Sequence, residues 1–389
     1  MTAVVTDVHY RMSLAVIRDL AEAGVRVVAC RREGTGVPLG FRSRWPARRV
    51  TLPAEGYGDA LYALCRSVTE AEGERPALLP IGAATLRLLA EERDRFSAVC
   101  GLCVPAPAQL AQLNDKEQAA ALAGRCGVPV PEEYVLRPGE GETDFFARVP
   151  LPCIVKPRCG EALGLTAALR YVRAETAEQL AAAYARFSDL AGEPPLVQEY
   201  LPGNGFGCSV LAREGQVLRA VCHRRVREYP ITGGPSACCD AVDRPDLTAM
   251  AAAMTAACGY TGVAMFEFKE DGAGQARLLE VNPRVWGSYP LTRVCASGFS
   301  LAWCTEAWDR GNPDRARPLP PERGVRLCRM SYFPVDRLAA RAYARAGQTG
   351  RAREPGGRDG LFEWRDPAPA LAYWLGLLRR KKERGGGTC

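Results

Sequence analysis

Histidine is scarce in this sequence: 389 residues contain two, His9 and His223. Cys100 and Cys103 have CxxC spacing, but a zinc site would need a second such pair or nearby histidines, so they read as chance neighbours in a buried strand. Adjacent Cys238 and Cys239 are read in the same way. No apolar stretch is long enough to span a bilayer. The opening Met-Thr-Ala-Val-Val-Thr-Asp reads as a strand and lacks the charged and apolar regions of an export signal. The 16 cysteines are therefore expected to be free thiols in a reducing cytoplasm. A strongly basic balance is missing too. A net charge of +7 suits anionic ligands but falls far short of the dense basic stripe of a nucleic-acid binder. Finally, the turn after the first strand, Asp7-Val-His-Tyr-Arg-Met-Ser13, has no glycine. A dinucleotide fingerprint needs glycines there for close approach of a pyrophosphate, which weakens an NAD-dependent oxidoreductase reading.

What is present is ordinary globular composition, 47% hydrophobic and 24% charged, in a chain too long for one core and sufficient for two or three domains. The first hundred residues alternate strand and helix. Residues 3–6 form a short apolar run, Met12, Ala15, Val16, Leu20 and Ala23 recur at helical spacing, Gly24 stops the helix, and 25–29 is the next strand. A third strand near 77–80, a helix over 83–93 and a strand near 98–104 complete the pattern. It predicts a parallel sheet with helices on its faces, an α/β domain over 1–107 that exits through Val104-Pro-Ala-Pro107. Asn114-Asp115 is a good N-cap pair for a helix to Arg125 that carries Lys116 in its first turn. Beyond it strands dominate, at 153–156, 167–172, 196–200, 208–212 and 217–221, with one helix at 177–187. The predicted class for 108–310 is α+β with two lobes, the smaller over about 125–202. Residues 311–389 form a C-terminal extension that starts with a Pro-rich linker over 311–321. A short apolar helix at 371–378 and a basic, then Gly-rich tail from Arg379 read as a docking helix with a frayed end.

The segment 262–284 carries the most chemistry. Two strand-like runs flank Asp271-Gly-Ala-Gly274, a strong hairpin signal. A turn centred between Ala273 and Gly274 sets Glu267 opposite Glu280 and Met265 opposite Asn282. One face then bears Glu267, Glu280, Asn282 and Arg284, and the other bears Phe266, Phe268, Leu279 and Val281. Two opposed carboxylates repel on a sheet, whereas a hard cation between them turns repulsion into binding. Two Glu oxygens plus an Asn carbonyl suit magnesium carrying a nucleotide phosphate.

Glu280-Val-Asn-Pro-Arg284, preceded by Glu267 on the facing strand, resembles the magnesium-binding hairpin of the ATP-grasp superfamily. Asn114-Asp115-Lys116 is similar to the segment bearing that family's first nucleotide lysine, and Pro152-Cys-Ile-Val-Lys-Pro157 to the strand bearing the second. Val197-Gln-Glu-Tyr-Leu-Pro-Gly203 resembles the hinge that receives adenine. The resemblance covers roughly residues 1–300 and rests on the order and spacing of the motifs together. It is strongest toward carbamoyl-phosphate-synthase-like ATP-grasp proteins, and extends more distantly to biotin carboxylase and D-alanine–D-alanine ligase.

The resemblance implies an ADP-forming ligase that activates a small-molecule carboxylate as an acyl phosphate for attack by an amine or similar nucleophile. The implied cofactors are ATP and Mg2+, two ions, with Mn2+ as a substitute. A homo-oligomer is compatible with it. Lys116 and Lys156 would meet the α- and β-phosphates as point charges, and Glu199, Tyr200 and Leu201 would frame adenine. Glu267, Glu280 and Asn282 would hold metal, and Arg284 the transferring phosphoryl. Two departures stand out. The loop Arg158-Cys-Gly-Glu-Ala-Leu-Gly164 is poorer in glycine and serine than phosphate-covering loops usually are. Asn204 occupies the place of an often acidic ribose contact. The cationic segment 223–236 reads as an anion-facing loop over the substrate, with Arg224 or Arg225 as the contacts and His223 as a structural residue. The rival reading is a regulatory or scaffold protein that binds nucleotide without turnover.

Overall fold

The computed structural model describes residues 1–158, 163, 165, 171–296, 298–322 and 324–385, with side chains up to residue 377. Its first sheet is all parallel, in the order β3-β2-β1-β4-β5. The elements in chain order are β1 (Thr2–Val5), α1 (Arg11–Glu22), β2 (Arg26–Arg32), α2 (Leu39–Arg42), β3 (Arg48–Leu52), α3 (Tyr57–Glu72), β4 (Ala77–Leu79), α4 (Ala83–Glu91), α5 (Arg93–Ser97) and β5 (Gly101–Leu102). Successive residues of β1 serve different cores. Ala3 and Val5 pack with α1, whereas Val4 packs on the other side with α3 and α4, as expected of a strand covered on both faces. β3 is an edge strand with exposed Arg48 and Arg49, and the sequence pattern does not reveal it. The expected third strand at 77–80 is therefore the fourth.

Two short helices, α6 (Pro107–Asn114) and α7 (Lys116–Arg125), lead onward. Asp115 caps α7 by accepting from the Gln118 amide at 2.8 Å, which fixes Lys116 at the first helical position. A small antiparallel sheet follows, ordered β6-β9-β7-β8, from β6 (Glu133–Tyr134), β7 (Cys153–Lys156), β8 (Val172–Ala174) and β9 (Leu196–Glu199). Helices α8 (Glu142–Arg148) and α9 (Ala177–Ala191) cover one face. α9 starts on Thr176, whose hydroxyl accepts from the Gln179 amide, and stops at Gly192 in the left-handed region (φ 70°). The strand expected at 167–172 and the loop at 158–164 fall largely outside the described residues.

The largest sheet has seven strands in the order β14-β13-β10-β11-β12-β15-β16. It comprises β10 (Gly205–Arg213), β11 (Gln216–Glu228), β12 (Ser236–Val242), α10 (Pro245–Ala257) as a cover, β13 (Gly262–Glu270) and β14 (Ala276–Asn282). After α11 (Tyr289–Cys295) and α12 (Phe299–Gly311), the chain returns to the same sheet. β15 (Arg329–Ser331) pairs with β12, and beyond α13 (Val335–Arg345) and α14 (Thr349–Arg353), β16 (Arg358–Asp359) pairs with β15. α15 (Ala368–Gly385) closes the described chain. No helix among the described residues is long and apolar enough to cross a membrane.

The residues after 311 are thus built into the body of the molecule. Trp303 and Trp308 of α12 share one core with β1, β2 and α1. Gly101 is required where α12 crosses β5, since a Cβ there would lie 1.9 Å from the Ala307 carbonyl oxygen. Arg18 of α1, 1% exposed, donates to Asp366 (2.9 Å) and to the carbonyls of Leu361 and Asp366. Arg227 of β11 makes a two-pronged pair with Asp336 of α13 at 2.6 and 2.8 Å. Both members of the CxxC pair, Cys100 and Cys103, are buried free thiols, as are Cys238 and Cys239 within β12. Burial pushes Cys103 up to about 12.

Candidate active site

A cleft of about 520 Å³ opens between the small antiparallel sheet and the β10–β14 side of the large one. The hairpin β13–β14 forms its floor. Glu267 faces Glu280 and Met265 faces Asn282, which is the register the sequence predicts. The parity of the upper half differs. A β-bulge between Glu267 and Phe268 pairs Phe268 with Leu278, so Leu278 (3% exposed) enters the core with Phe266, Phe268 and Val281. Leu279, expected in that core, instead lines the cleft beside Glu280. The extra residue of a bulge re-aims a side chain in this way. It gives the floor an apolar patch next to its carboxylates.

Charge converges on that floor. Lys116 lines the cleft from the start of α7, with Nζ 4.0 Å from Glu280 Oε2. Lys156 reaches it from the end of β7. Burial, and then Lys116 nearby, lower Lys156 to about 8. Burial pushes Glu280 upward, but Lys116, Lys156 and the Asn282 hydrogen bond outweigh it and hold its pKa below the ordinary range. Glu267 goes the other way, to about 7. Burial dominates, Arg225 opposes it, and repulsion from Glu280 adds to it. The two opposed carboxylates are thus pushed apart in acidity. Asn282 bridges them, donating to Glu267 (3.0 Å) and Glu280 (3.2 Å), while its Oδ1 accepts from Arg284 at 3.1 Å.

The remaining expected residues divide. Glu199, Tyr200 and Leu201 line the cleft at the end of β9, with Ile154 and Leu279 supplying further apolar lining. The Arg173 guanidinium stacks 4.0 Å from the Tyr200 ring centroid and donates to its hydroxyl. Arg284 lines the cleft just after β14. Segment 223–228 is the end of the 13-residue strand β11 and not a loop, and its alternation sends neighbouring arginines to different places. Arg225 lies in the cleft, paired with Glu228 and with Glu267. Arg224 pairs with Asp240 of β12 at 2.8 Å and is not part of the cleft lining. Asn204 is likewise outside that lining. Its amide donates to Glu270 at 3.3 Å, so it occupies a structural contact.

His223 is buried beside Gly207, where a Cβ would lie 2.3 Å from the imidazole Cε1, and its Nε2 meets the Ser288 hydroxyl at 3.1 Å. Burial, with Arg225 adding to it, lowers it to about 3, so the ring is neutral. Among the cleft residues that escape sequence reading are Lys269, Glu228, Tyr171 and Arg351. Lys269 carries a legible signal, two positions after Glu267 on the same strand face. Arg351 arrives from α14, more than 80 residues from β13, and no local pattern points to it.

Among the described residues no group of three or more His, Cys, Asp or Glu could hold a metal ion. The donors that do gather are two carboxylates and one amide, all offering hard oxygen once the Asn282 side chain flips so that Oδ1, now facing Arg284, replaces the NH2 group between the carboxylates. The elevated Glu267 and the opposed charges fit a cation, which would relieve their repulsion.

A family model described as "ATP-grasp in the biosynthetic pathway with Ter operon" matches residues 192–331. No curated protein matches by sequence. Several solved structures share the architecture at low identity. Biotin carboxylase from Campylobacter jejuni, solved as a β,γ-ATP complex, is 15% identical with a TM-score of 0.62, over 84% of this chain and 73% of that one. The biotin carboxylase domain of 2-oxoglutarate carboxylase from Hydrogenobacter thermophilus, solved as a dimer with MgADP, ADP and bicarbonate, is 14% identical with a TM-score of 0.60, over 84% and 73%. L-Amino acid ligase from Bacillus licheniformis is 14% identical with a TM-score of 0.57, over 86% and 80%.

Proposed function

We propose that this chain, whose residues 192–331 match an ATP-grasp family model and whose fold is shared with biotin carboxylase, is an ATP- and Mg2+-dependent ligase that activates a small carboxylic acid as an acyl phosphate. The observation that carries this reading is the convergence of Lys116, Lys156, Glu267, Glu280, Asn282 and Arg284 on one cleft. In this reading residues 1–107 are the leading domain, 108–310 the ATP-grasp core, and 311–389 an extension.

Lys116 and Lys156 hold the polyphosphate by charge, and the slot between Ile154, Tyr200, Leu201 and Leu279 takes the adenine. Glu267, Glu280 and Asn282 would hold Mg2+, which when bound neutralises charge on the phosphates. Arg284 orients the substrate carboxylate and offers N–H donors to the transferring oxygens. A carboxylate oxygen forms a bond to the γ-phosphorus as the bond to the bridging oxygen breaks, and ADP leaves with the electron pair. An amine or similar nucleophile then adds to the acyl carbon, and phosphate departs. Arg225 opposes the burial that raises Glu267 without cancelling it.

The test is ADP release with hydroxylamine as an acyl-phosphate trap and a panel of acids. Wild type should require Mg2+, and Glu280→Gln should fold normally yet lose about 10²–10³ in rate, as the loss of one such electrostatic contact does. Full turnover by that variant would remove the metal assignment. ATP binding with no acid-dependent turnover would instead support a nucleotide-binding regulator.

A further inference from the structure

Arg284 borders a second cavity as well as the cleft. This pocket of about 280 Å³ lies where the leading parallel sheet meets the core, between α4, α6 and the turn after β14. Asn114 and Arg284 line both spaces, so the two adjoin at the atoms placed next to the transferring phosphoryl. The pocket wall is compact and apolar, with Leu86, Ala90, Pro107, Leu110, Ala111 and Pro283. Arg87 and Glu91, both exposed, stand at its rim.

The inner end is cationic and underused. Arg284 donates to Asn282 Oδ1 at 3.1 Å and to the Val285 carbonyl at 3.3 Å. Among the described residues it has no carboxylate within ion-pair distance, although a guanidinium carries five N–H donors. A planar fork with free donors at the end of an apolar pocket matches a carboxylate on an apolar body. The space holds roughly nine water-sized groups, which fits an aliphatic acid of middle length and not a large polar molecule.

We infer that this second pocket seats the acid substrate, a monocarboxylic acid with an aliphatic body, its carboxylate on Arg284 and its tail between α4 and α6. The inference rests on the ligase reading above and adds to it the substrate class. The walls offer no buried charge to pair with a second ionised group on the tail. A tail carboxylate or ammonium that stops short of the rim would therefore lose its hydration without return.

The test uses the full chain with MgATP, hydroxylamine and straight-chain acids from acetate to octanoate, each beside a dicarboxylate of equal length. Hydroxylamine nitrogen attacks the acyl carbon and phosphate leaves, so hydroxamate reports acyl-phosphate formation whatever the natural nucleophile. Wild type should make hydroxamate from the monoacids, with an optimum chain length, and at least tenfold less from the matched diacids. Ala83→Phe and Ala111→Phe, at exposed positions lining the pocket, should shorten the accepted chain and raise KM for the longest acid at least tenfold. Their MgATP affinity by calorimetry should stay at the wild-type value. Unchanged length profiles in both variants, or a preference for diacids, overturn the inference while leaving the ligase reading in place. Failure of wild type to bind MgATP removes the ligase reading and the inference with it.

Discussion

Asp366 lies far in sequence from everything it holds, and its removal gives a sharp measure of how the C-terminal residues serve the fold. Its carboxylate accepts from Arg18 Nε at 2.9 Å, the Ser43 hydroxyl at 2.7 Å and the Arg44 amide at 3.0 Å. Arg18 and Asp366 are 1% and 2% exposed. Replacing Asp366 with Ala leaves a buried guanidinium with two carbonyls and Glu363, whose nearest oxygen is 3.5 Å away. Breaking a buried pair from one side costs about 3–5 kcal/mol. Glu363 offsets some of this, so the expected loss lies at the lower end, about 3 kcal/mol. Asp366→Asn keeps an acceptor oxygen and should lose less, about 1.5–3 kcal/mol, the worth of a hydrogen bond to a charged group. The double variant Arg18→Met/Asp366→Leu should be more stable than Asp366→Ala, because no charge is left buried. Urea titration followed by fluorescence, with circular dichroism as a second probe, measures all three. A loss below about 1 kcal/mol for Asp366→Ala, or a double variant no better than the single one, would refute the account of this pair as buried and mutually dependent.

The other predictions concern the cleft and its supports. His223 has a folded pKa of about 3, below its ordinary value. Between pH 6.5 and 3 the unfolded chain binds a proton that the folded chain does not, so stability falls as pH falls through that window. His223→Gln should reduce that slope by about 1.4 kcal/mol per pH unit, as read from denaturant midpoints at pH 4–6. Leu279→Ala should weaken MgATP binding about five- to thirty-fold, equivalent to about 1–2 kcal/mol of lost apolar contact, with little change in melting temperature. Calorimetry beside a thermal melt checks both. Arg225→Ala should depress acid-dependent ADP release, whereas Arg224→Ala should leave its rate within about twofold, since the two side chains lie on different faces of β11. Equal losses would place both in the cleft.

The hairpin was legible because two period-2 runs met an Asp-Gly turn, and together these determine which side chains oppose each other. The bulge was not, since Leu278 and Leu279 are equally apolar and only the packed structure decides which one is buried. β3 is hidden because an edge strand can expose Arg48 and Arg49, and within the segment 223–236 the part up to Glu228 continues strand β11, its cationic residues satisfied by Asp240, Glu228, Glu267 and Asp336. Lys116 and Lys156 could be placed from a cap and a strand end, which are local signals. Arg351 and the β12–β15–β16 pairings depend on contacts between distant parts of the chain, for which one sequence carries no periodicity.

The tie between Arg18 and Asp366 also sets a timetable for synthesis. The two residues are separated by 348 positions, so at 5–20 residues per second the ribosome delivers the second roughly 20–70 s after the first. During that interval the nascent leading sheet can pair its strands and pack α3 and α4. Its other face, however, waits for Trp303 and Trp308, and the arginine waits for its acid. A chain stalled before α12 therefore presents the inner wall of a finished sheet to solvent, a surface suited to capture by a holding chaperone. The arrival of α12 covers that surface, and the buried arginine gains its acid only later, when Asp366 docks.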